Sequence, residues 1–336
     1  MKIGLLFVGQ GAQYTGMGKE LYEHSPKAKE IMELAGDEIK AWCFEGTKEM
    51  LRQTHITQPC IYTVTMAAYE ALFEGMAKHD AALLDSIEIV GMAGFSLGEY
   101  AALTASGSIS DIRKGMEIVT KRGNWMNEAG LGEDGEPRGG MVAAFGDRQS
   151  ILDCVAAVKD GEILQGVNFN SPVQTVVAGE KTALERFKAE AKIRKMKAIP
   201  LSVGTAFHSE MMAPAAEKLQ NYLMTCKLKA PTYKLYSNIT AEDLMAGLSE
   251  KDQADEAKVS EYIADRMGQQ AMSPVCWQDI IENMVKDGIE CVIEIGPGSA
   301  LSGMVKKIKE DLLTLHVEDM ESLKHTIDLL AEHVNA

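Results

Sequence analysis

Short apolar runs alternate along the chain with longer stretches in which apolar residues recur every three or four positions. The runs at 3–8, 87–93, 140–145, 163–168, 175–178, 198–203, 235–239, 291–295 and 313–317 predict strands. The stretches at 28–39, 58–78, 97–105, 109–128 and 209–226 predict helices. Strands that alternate with helices predict βαβ units and an α/β fold with a mostly parallel sheet. One region departs from the alternation. Residues 131–140 are glycine-rich and turn-prone, and from there to about 202 the elements run β-α-β-β-α-β, a ferredoxin-like pattern. A small subdomain, residues 131–202, is therefore expected inside a larger domain made of residues 1–130 and 203–336. The polar stretch 248–258 reads as a loop or a helix start, and no internal repeat is evident.

The candidate chemistry sits where predicted strands end. Gly94-Phe95-Ser96-Leu97-Gly98 fits G-x-S-x-G between a strand and a helix, the setting of a nucleophile elbow. Glycines beside the serine permit a sharp turn, and the helix N-terminus favours a developing negative charge. The Leu97 N–H is the natural first oxyanion donor. After the first strand comes Gly9-Gln10-Gly11-Ala12-Gln13-Tyr14-Thr15-Gly16-Met17-Gly18. Tyr14 breaks the dinucleotide pattern, and Met17 stands where a phosphate-binding loop needs lysine. What remains is a tight loop able to bring a backbone N–H to the same crevice as a second oxyanion donor. Of seven histidines, His208 alone lies in a comparable place, between a strand and a helix, as a base for Ser96.

Composition narrows the class. The 336 residues carry a formal charge of −15, which excludes bulk nucleic-acid binding and obliges any acidic partner to find a local basic patch. Lys188, Lys192, Arg194, Lys195 and Lys197 form one such cluster, and Lys306, Lys307 and Lys309 another. The six cysteines form no C-x-x-C pair, so no metal or redox motif is supported. No apolar run reaches membrane-spanning length, and residues 1–8 are too short for a signal peptide. A cytoplasmic, monomeric protein without membrane association is expected.

With these motifs assembled, the chain resembles the malonyl-CoA:acyl-carrier-protein transacylases of fatty-acid synthesis and the related polyketide synthase acyltransferases. Gly9-Gln10-Gly11-Ala12-Gln13 is similar to the family's PGQGSQ, and residues 94–100 to GHSLGEY. Arg122-Gly123 with Met126, and Asn168-Phe169-Asn170-Ser171-Pro172 with Gln174, resemble RG-x-x-M and NFNSP-x-Q. Ala206-Phe207-His208-Ser209 with Met212, Gln270 with Ser273-Pro274-Val275 and Trp277, and Glu294-x-Gly296-Pro297-Gly298 complete the ordered set. The resemblance implies a hydrolase-like large domain, a ferredoxin-like small one, and a site between them. It implies Ser96 as nucleophile, His208 as base and the N–H groups of Gln10 and Leu97 as the oxyanion hole. Arg122 would bind the malonyl carboxylate, Gln270 would orient His208 through its carbonyl, and Asn170 and Gln174 would line the acyl pocket. The substrates would be malonyl-CoA and phosphopantetheinylated acyl carrier protein, with no cofactor. Two departures stand out: Phe95 where the family usually has His, and Val8 where it has Pro. A polyketide-pathway acyltransferase stays open, as does a serine esterase with His316 or His325 as its base.

Overall fold

A computed structural model describes residues 1–335, the side chains of residues 81, 82 and 335 excepted. Among the described residues nine strands form two sheets. β1 (Lys2–Phe7), β2 (Glu88–Gly94), β7 (Lys234–Tyr236), β8 (Cys291–Ile295) and β9 (Leu313–Val317) make a parallel sheet of order β7-β2-β1-β8-β9. β3 (Gly139–Phe145), β4 (Leu164–Ser171), β5 (Gln174–Glu180) and β6 (Lys197–Pro200) make an antiparallel sheet of order β4-β5-β3-β6. The second sheet lies wholly within the segment expected as the small subdomain. Helices Arg148–Val158 and Lys181–Ile193 supply the two α elements of its β-α-β-β-α-β order.

The burial of the parallel strands follows their composition. Residues 3–7 of β1 are all buried, as a parallel strand covered on both faces requires. Helix Thr54–His79 is buried almost all round through its first four turns, so it lies inside the large domain rather than on it. The small sheet has a separate core of Val142, Ile151, Val177 and Phe187 among others.

Three sequence expectations are corrected. The helix expected at 28–39 is two helices, Pro26–Leu34 and Gly36–Glu45, because Gly36 adopts φ +85° and turns the chain. The helix expected from 209 begins with a 3-10 turn, Glu210–Met212, and ends earlier, at Leu223. β6 stops at Pro200, where the Val203 N–H folds back to the Leu201 carbonyl at 2.9 Å, leaving residues 201–203 free to face the site. The stretch 248–258 holds a short helix, Glu250–Gln253, and the start of helix Glu256–Gln270, whose N-cap Asp255 accepts from the N–H of Ala257 and Lys258.

Candidate active site

The carboxyl ends of the parallel strands converge, as ligand sites in α/β sheets require. β2 ends at Gly94, and the turn that follows holds Ser96 at φ 53°. A Cβ on Gly94 would lie 2.0 Å from the Gly98 carbonyl carbon, and one on Gly98 would lie 2.0 Å from the Phe7 oxygen. Both elbow glycines are therefore fixed by contact. The glycine loop presses on the same turn, since a Cβ on Gly9 would meet the Phe95 oxygen at 2.4 Å.

Ser96 Oγ lies 2.7 Å from His208 Nε2. His208 Nδ1 faces two carbonyl oxygens, Gln270 at 3.0 Å and Ser273 at 3.1 Å. Carbonyls only accept, so Nδ1 carries the hydrogen and Nε2 is the bare nitrogen that faces the serine. Burial, and then the nearby Arg122 charge, pull the His208 pKa down to about 4. The imidazole is thus neutral at pH 7 and ready to accept a proton. The Ser96 N–H donates to Asn238 Oδ1 at 2.7 Å, so it is not free for an oxyanion. Among the described residues, the N–H groups of Leu97 and Gln10 donate to no other group.

Arg122, on helix Ile112–Ala129, is 1% exposed. Its Nη1 donates to Gln58 Oε1 at 2.8 Å; its Nη2 lies 3.2 Å from Ser96 Oγ and 3.1 Å from Gln270 Oε1. The guanidinium carbon sits 5.2 Å from the Tyr100 ring centroid, and Nε is buried without a partner. Among the described residues no carboxylate forms an ion pair with it. Burial lowers its pKa from the ordinary arginine value, as expected for a cation held out of water without a counter-ion.

The polar groups behind the serine were not evident in the sequence. Asn238, fully buried just beyond β7, donates from Nδ2 to the Gly94 oxygen at 2.6 Å while its Oδ1 takes the Ser96 N–H. Buried Glu99 accepts from Gln270 Nε2 at 3.0 Å and from the Asn238 N–H at 3.2 Å. Burial raises its pKa to about 7, against those bonds and the Arg122 charge. Gln58 was also missed. Both Asn238 and Gln58 are lone polar residues with no motif around them.

A cavity of about 690 Å³ opens over Ser96, Arg122 and His208, within the usual range for small-molecule sites. Its small-domain wall is Met141, Asn168, Leu201 and Ser202, continued by Val203. Asn170 and Gln174, expected to line it, do not. Asn170 Nδ2 donates to Gln174 Oε1 at 3.2 Å, and the register shifts between Phe169 and Ser171, so the alternation that would aim residue 170 beside 168 fails. Phe95 does line the cavity, its ring 5.4 Å from that of Trp277 in an edge-on arrangement. Val8 keeps an N–H that a proline would lack, and donates it to the Ile295 oxygen at 3.3 Å.

The chain matches the acyl transferase domain family over residues 5–325. It is 37% identical to the malonyl CoA-acyl carrier protein transacylase of Bacillus subtilis (strain 168), over 98% of each chain. The chain belongs to the malonyl-CoA:acyl-carrier-protein transacylase family. It is 32% identical to the Escherichia coli (strain K12) member over 98% of this chain and 99% of that one. The transacylase structure from Clostridium perfringens ATCC 13124 matches with a TM-score of 0.86 at 35% identity, covering 99% of this chain and 98% of the other. A malonyl-transacylase in complex with a type II PKS acyl-carrier protein matches with a TM-score of 0.85 at 30% identity, covering 98% and 100%. This transacylase-family chain is therefore an acyltransferase, with Ser96 and His208 at hydrogen-bond distance in its cavity.

Proposed function

We propose that this acyltransferase moves a malonyl group from coenzyme A to the phosphopantetheine thiol of acyl carrier protein in fatty-acid synthesis, through a malonyl-Ser96 intermediate. One observation carries the choice of acyl group: Arg122 is buried, lacks a carboxylate partner and lies 3.2 Å from Ser96 Oγ. A guanidinium so placed takes a carboxylate on the acyl chain being transferred. An acyl group without one leaves the cation unpaired and is rejected by more than its size would explain.

His208 Nε2 takes the Oγ proton as Oγ attacks the thioester carbonyl. The Gln10 and Leu97 N–H groups hold the oxyanion, where losing one donor typically costs about 10²–10³ in rate. The tetrahedral intermediate expels the coenzyme A sulfur, which takes the proton from His208. The carrier thiol then enters, gives its proton to His208 and attacks the malonyl ester; Oγ leaves and recovers the proton. Two half-reactions at one site give ping-pong kinetics and require no cofactor. All of these groups come from one chain, which supports a working monomer. Six free cysteines, and no helix among the described residues long and apolar enough to cross a membrane, support a cytoplasmic setting.

For an acidic carrier the docking surface is basic. Lys188, Lys192, Lys195 and Lys197 line one shallow groove, and Lys306 and Lys307 lie on helix Ala300–Ile308. Carrier-dependent rates that fall with salt while malonyl-serine formation is spared would support docking there. A polyketide carrier is the second reading, favoured by the structural neighbour that binds one. Relative rates with the two carrier types separate the pathways.

Mass spectrometry after mixing with malonyl-CoA and acetyl-CoA tests the acyl reading. A malonyl mass on the Ser96 peptide is expected, absent in Ser96→Ala. An unchanged malonyl/acetyl kcat/KM ratio in Arg122→Ala would refute the carboxylate role.

A further inference from the structure

The cavity that starts at Ser96 extends along the glycine loop, past Gln13, Tyr14 and Thr15, to Lys48, Leu51 and Arg52. Its lining contains three full-time cations, Arg122, Lys48 and Arg52, and no carboxylate. In a chain of net charge −15 that is a local reversal of sign. Arg122 is buried beside the nucleophile, whereas Lys48 and Arg52 are exposed. Among the described residues neither exposed cation takes part in an ion pair, although Lys27, Lys40 and Lys78 elsewhere on the surface all do.

The loop carrying them is held in place. Leu51 is buried, and its carbonyl accepts from Gln13 Nε2 at 3.0 Å and from Thr57 Oγ1. Thr15 Oγ1 donates to the Gly46 carbonyl at 2.6 Å, and the Leu51 N–H to the Thr47 carbonyl at 2.9 Å. The same glycine loop that places Gln10 at the oxyanion end thus fixes the two cations elsewhere in the same cavity.

We propose that Lys48 and Arg52 form a phosphate subsite for the anionic end of the thioester substrate, whose acyl end sits at Ser96. This rests on the coenzyme A reading above. Coenzyme A carries a pyrophosphate and a 3′-phosphate beyond its pantetheine arm, and the carrier's arm ends in a phosphodiester, so phosphate is common to both substrates. A flexible ammonium beside a forked guanidinium suits phosphate oxygens. Both are solvent-exposed, so the interaction is screened and modest in size.

The test uses Lys48→Ala, Arg52→Ala and the double variant, with malonyl-Ser96 formation as the readout. The double variant is expected to raise KM for malonyl-CoA about tenfold at low salt and to lose most of the salt dependence of KM. Malonyl-N-acetylcysteamine carries no phosphate, and its kinetics are expected to change less than twofold. An unchanged KM for malonyl-CoA, or an equal loss with the phosphate-free thioester, would overturn the subsite. That thioester also separates the two proposals: malonylation of Ser96 from it continues if only the subsite is wrong. Two further arms identify the phosphate. An equal effect with malonyl-dephospho-CoA assigns the subsite to the pyrophosphate, and a reduced one to the 3′-phosphate. A parallel KM increase for the carrier protein assigns it to the phosphate that both substrates share.

Discussion

On the large-domain side of the cavity, Ser96, His208, Gln270, Glu99 and Asn238 bond to one another or to backbone, and the Arg122 guanidinium keeps only its Nε unpartnered. On the small-domain side, the β4–β5 hairpin buries Asn168 Oδ1, Asn170 Oδ1, Ser171 Oγ and Thr175 Oγ1 with no partner. The first wall is preorganised: each reacting atom is held by a partner that is held in turn. On the second wall only Asn168 of those four residues lines the cavity, and its strand, β4, shifts register twice. Residues 270–276 join the two. Gln270 and Ser273 orient His208, the Val275 N–H donates to the Val167 carbonyl at 2.8 Å, and the Cys276 N–H donates to the Asn238 carbonyl at 2.8 Å. The contrast teaches that the side chains around Ser96 are fixed by one another, whereas the small sheet contributes Met141 and Asn168 to the cavity without such a network.

The largest effects should fall on the first wall. His208→Ala is expected to lower kcat/KM for malonyl-Ser96 formation by about 10⁴-fold or more, since the general base acts as one unit with the serine. His316→Ala is expected to change it less than about twofold. His316 lies on β9 near Glu318 and does not line the cavity, so the esterase order with a C-terminal histidine has no geometric support. Steady-state and burst kinetics of both variants decide it, and a severe loss in His316→Ala would reverse the comparison.

Asn238→Ala should follow, with kcat down roughly 10–100-fold and KM little changed. The Ser96 N–H and Gly94 carbonyl would both lose partners at the elbow, and leaving such buried groups unmade costs about 1–3 kcal/mol each. Asn238→Asp keeps the acceptor for Ser96 and should recover part of kcat. A loss confined to thermal stability would show that Asn238 supports the fold but not the nucleophile.

The same contrast explains what the sequence could tell. The five parallel strands match their apolar runs to within a few residues because strands covered on both faces are continuously apolar, and the four antiparallel ones match as closely by the shorter runs of the small sheet. Ser96 and His208 were legible because turns at strand ends leave local signatures. Asn238 was not, since its contact with Ser96 spans 142 positions and nothing around it repeats. The second wall misled for a different reason. Alternation assigns residues to faces only while register holds, and the bulge after Phe169 turns Asn170 away from the side Asn168 serves. Gly36 likewise broke a helix whose apolar period ran straight through it.

Asn170→Ala and Gln174→Ala are expected to alter kcat/KM by no more than about threefold, because each loses chiefly its bond to the other. Asn168→Ala, which removes a buried amide that does line the cavity, should cost more, mainly in KM. If the Asn170 variant matched the Asn238 variant, the small-domain wall would share in the chemistry and the division between the walls would fail.

The smallest effect expected is a flat acid limb. A histidine with an ordinary pKa of 6.5 would cost about tenfold in kcat/KM by pH 5.5. With His208 near 4, the rate of malonyl-Ser96 formation should pass through 6.5 without that loss. Any inflection near 7 belongs to Glu99, and Glu99→Gln should erase it. Stability follows with opposite signs. The neutral, buried His208 contributes no penalty above 6.5, and stability is lost as pH falls from 6.5 toward 4, where only the unfolded chain takes that proton. Glu99 costs stability above about 7, and that cost disappears as pH falls toward 4.5, because the folded protein takes that proton first. Each contribution is worth roughly 3 kcal/mol at its limit, and between 4.5 and 6.5 the two slopes cancel. Relative to the native chain, Glu99→Gln should therefore lose roughly 2–3 kcal/mol of unfolding free energy as pH drops from 8 to 5. Denaturant titrations at the two pH values measure it. A difference independent of pH would mean that Glu99 does not titrate as a buried acid near 7, and that the preorganised wall carries its charge elsewhere.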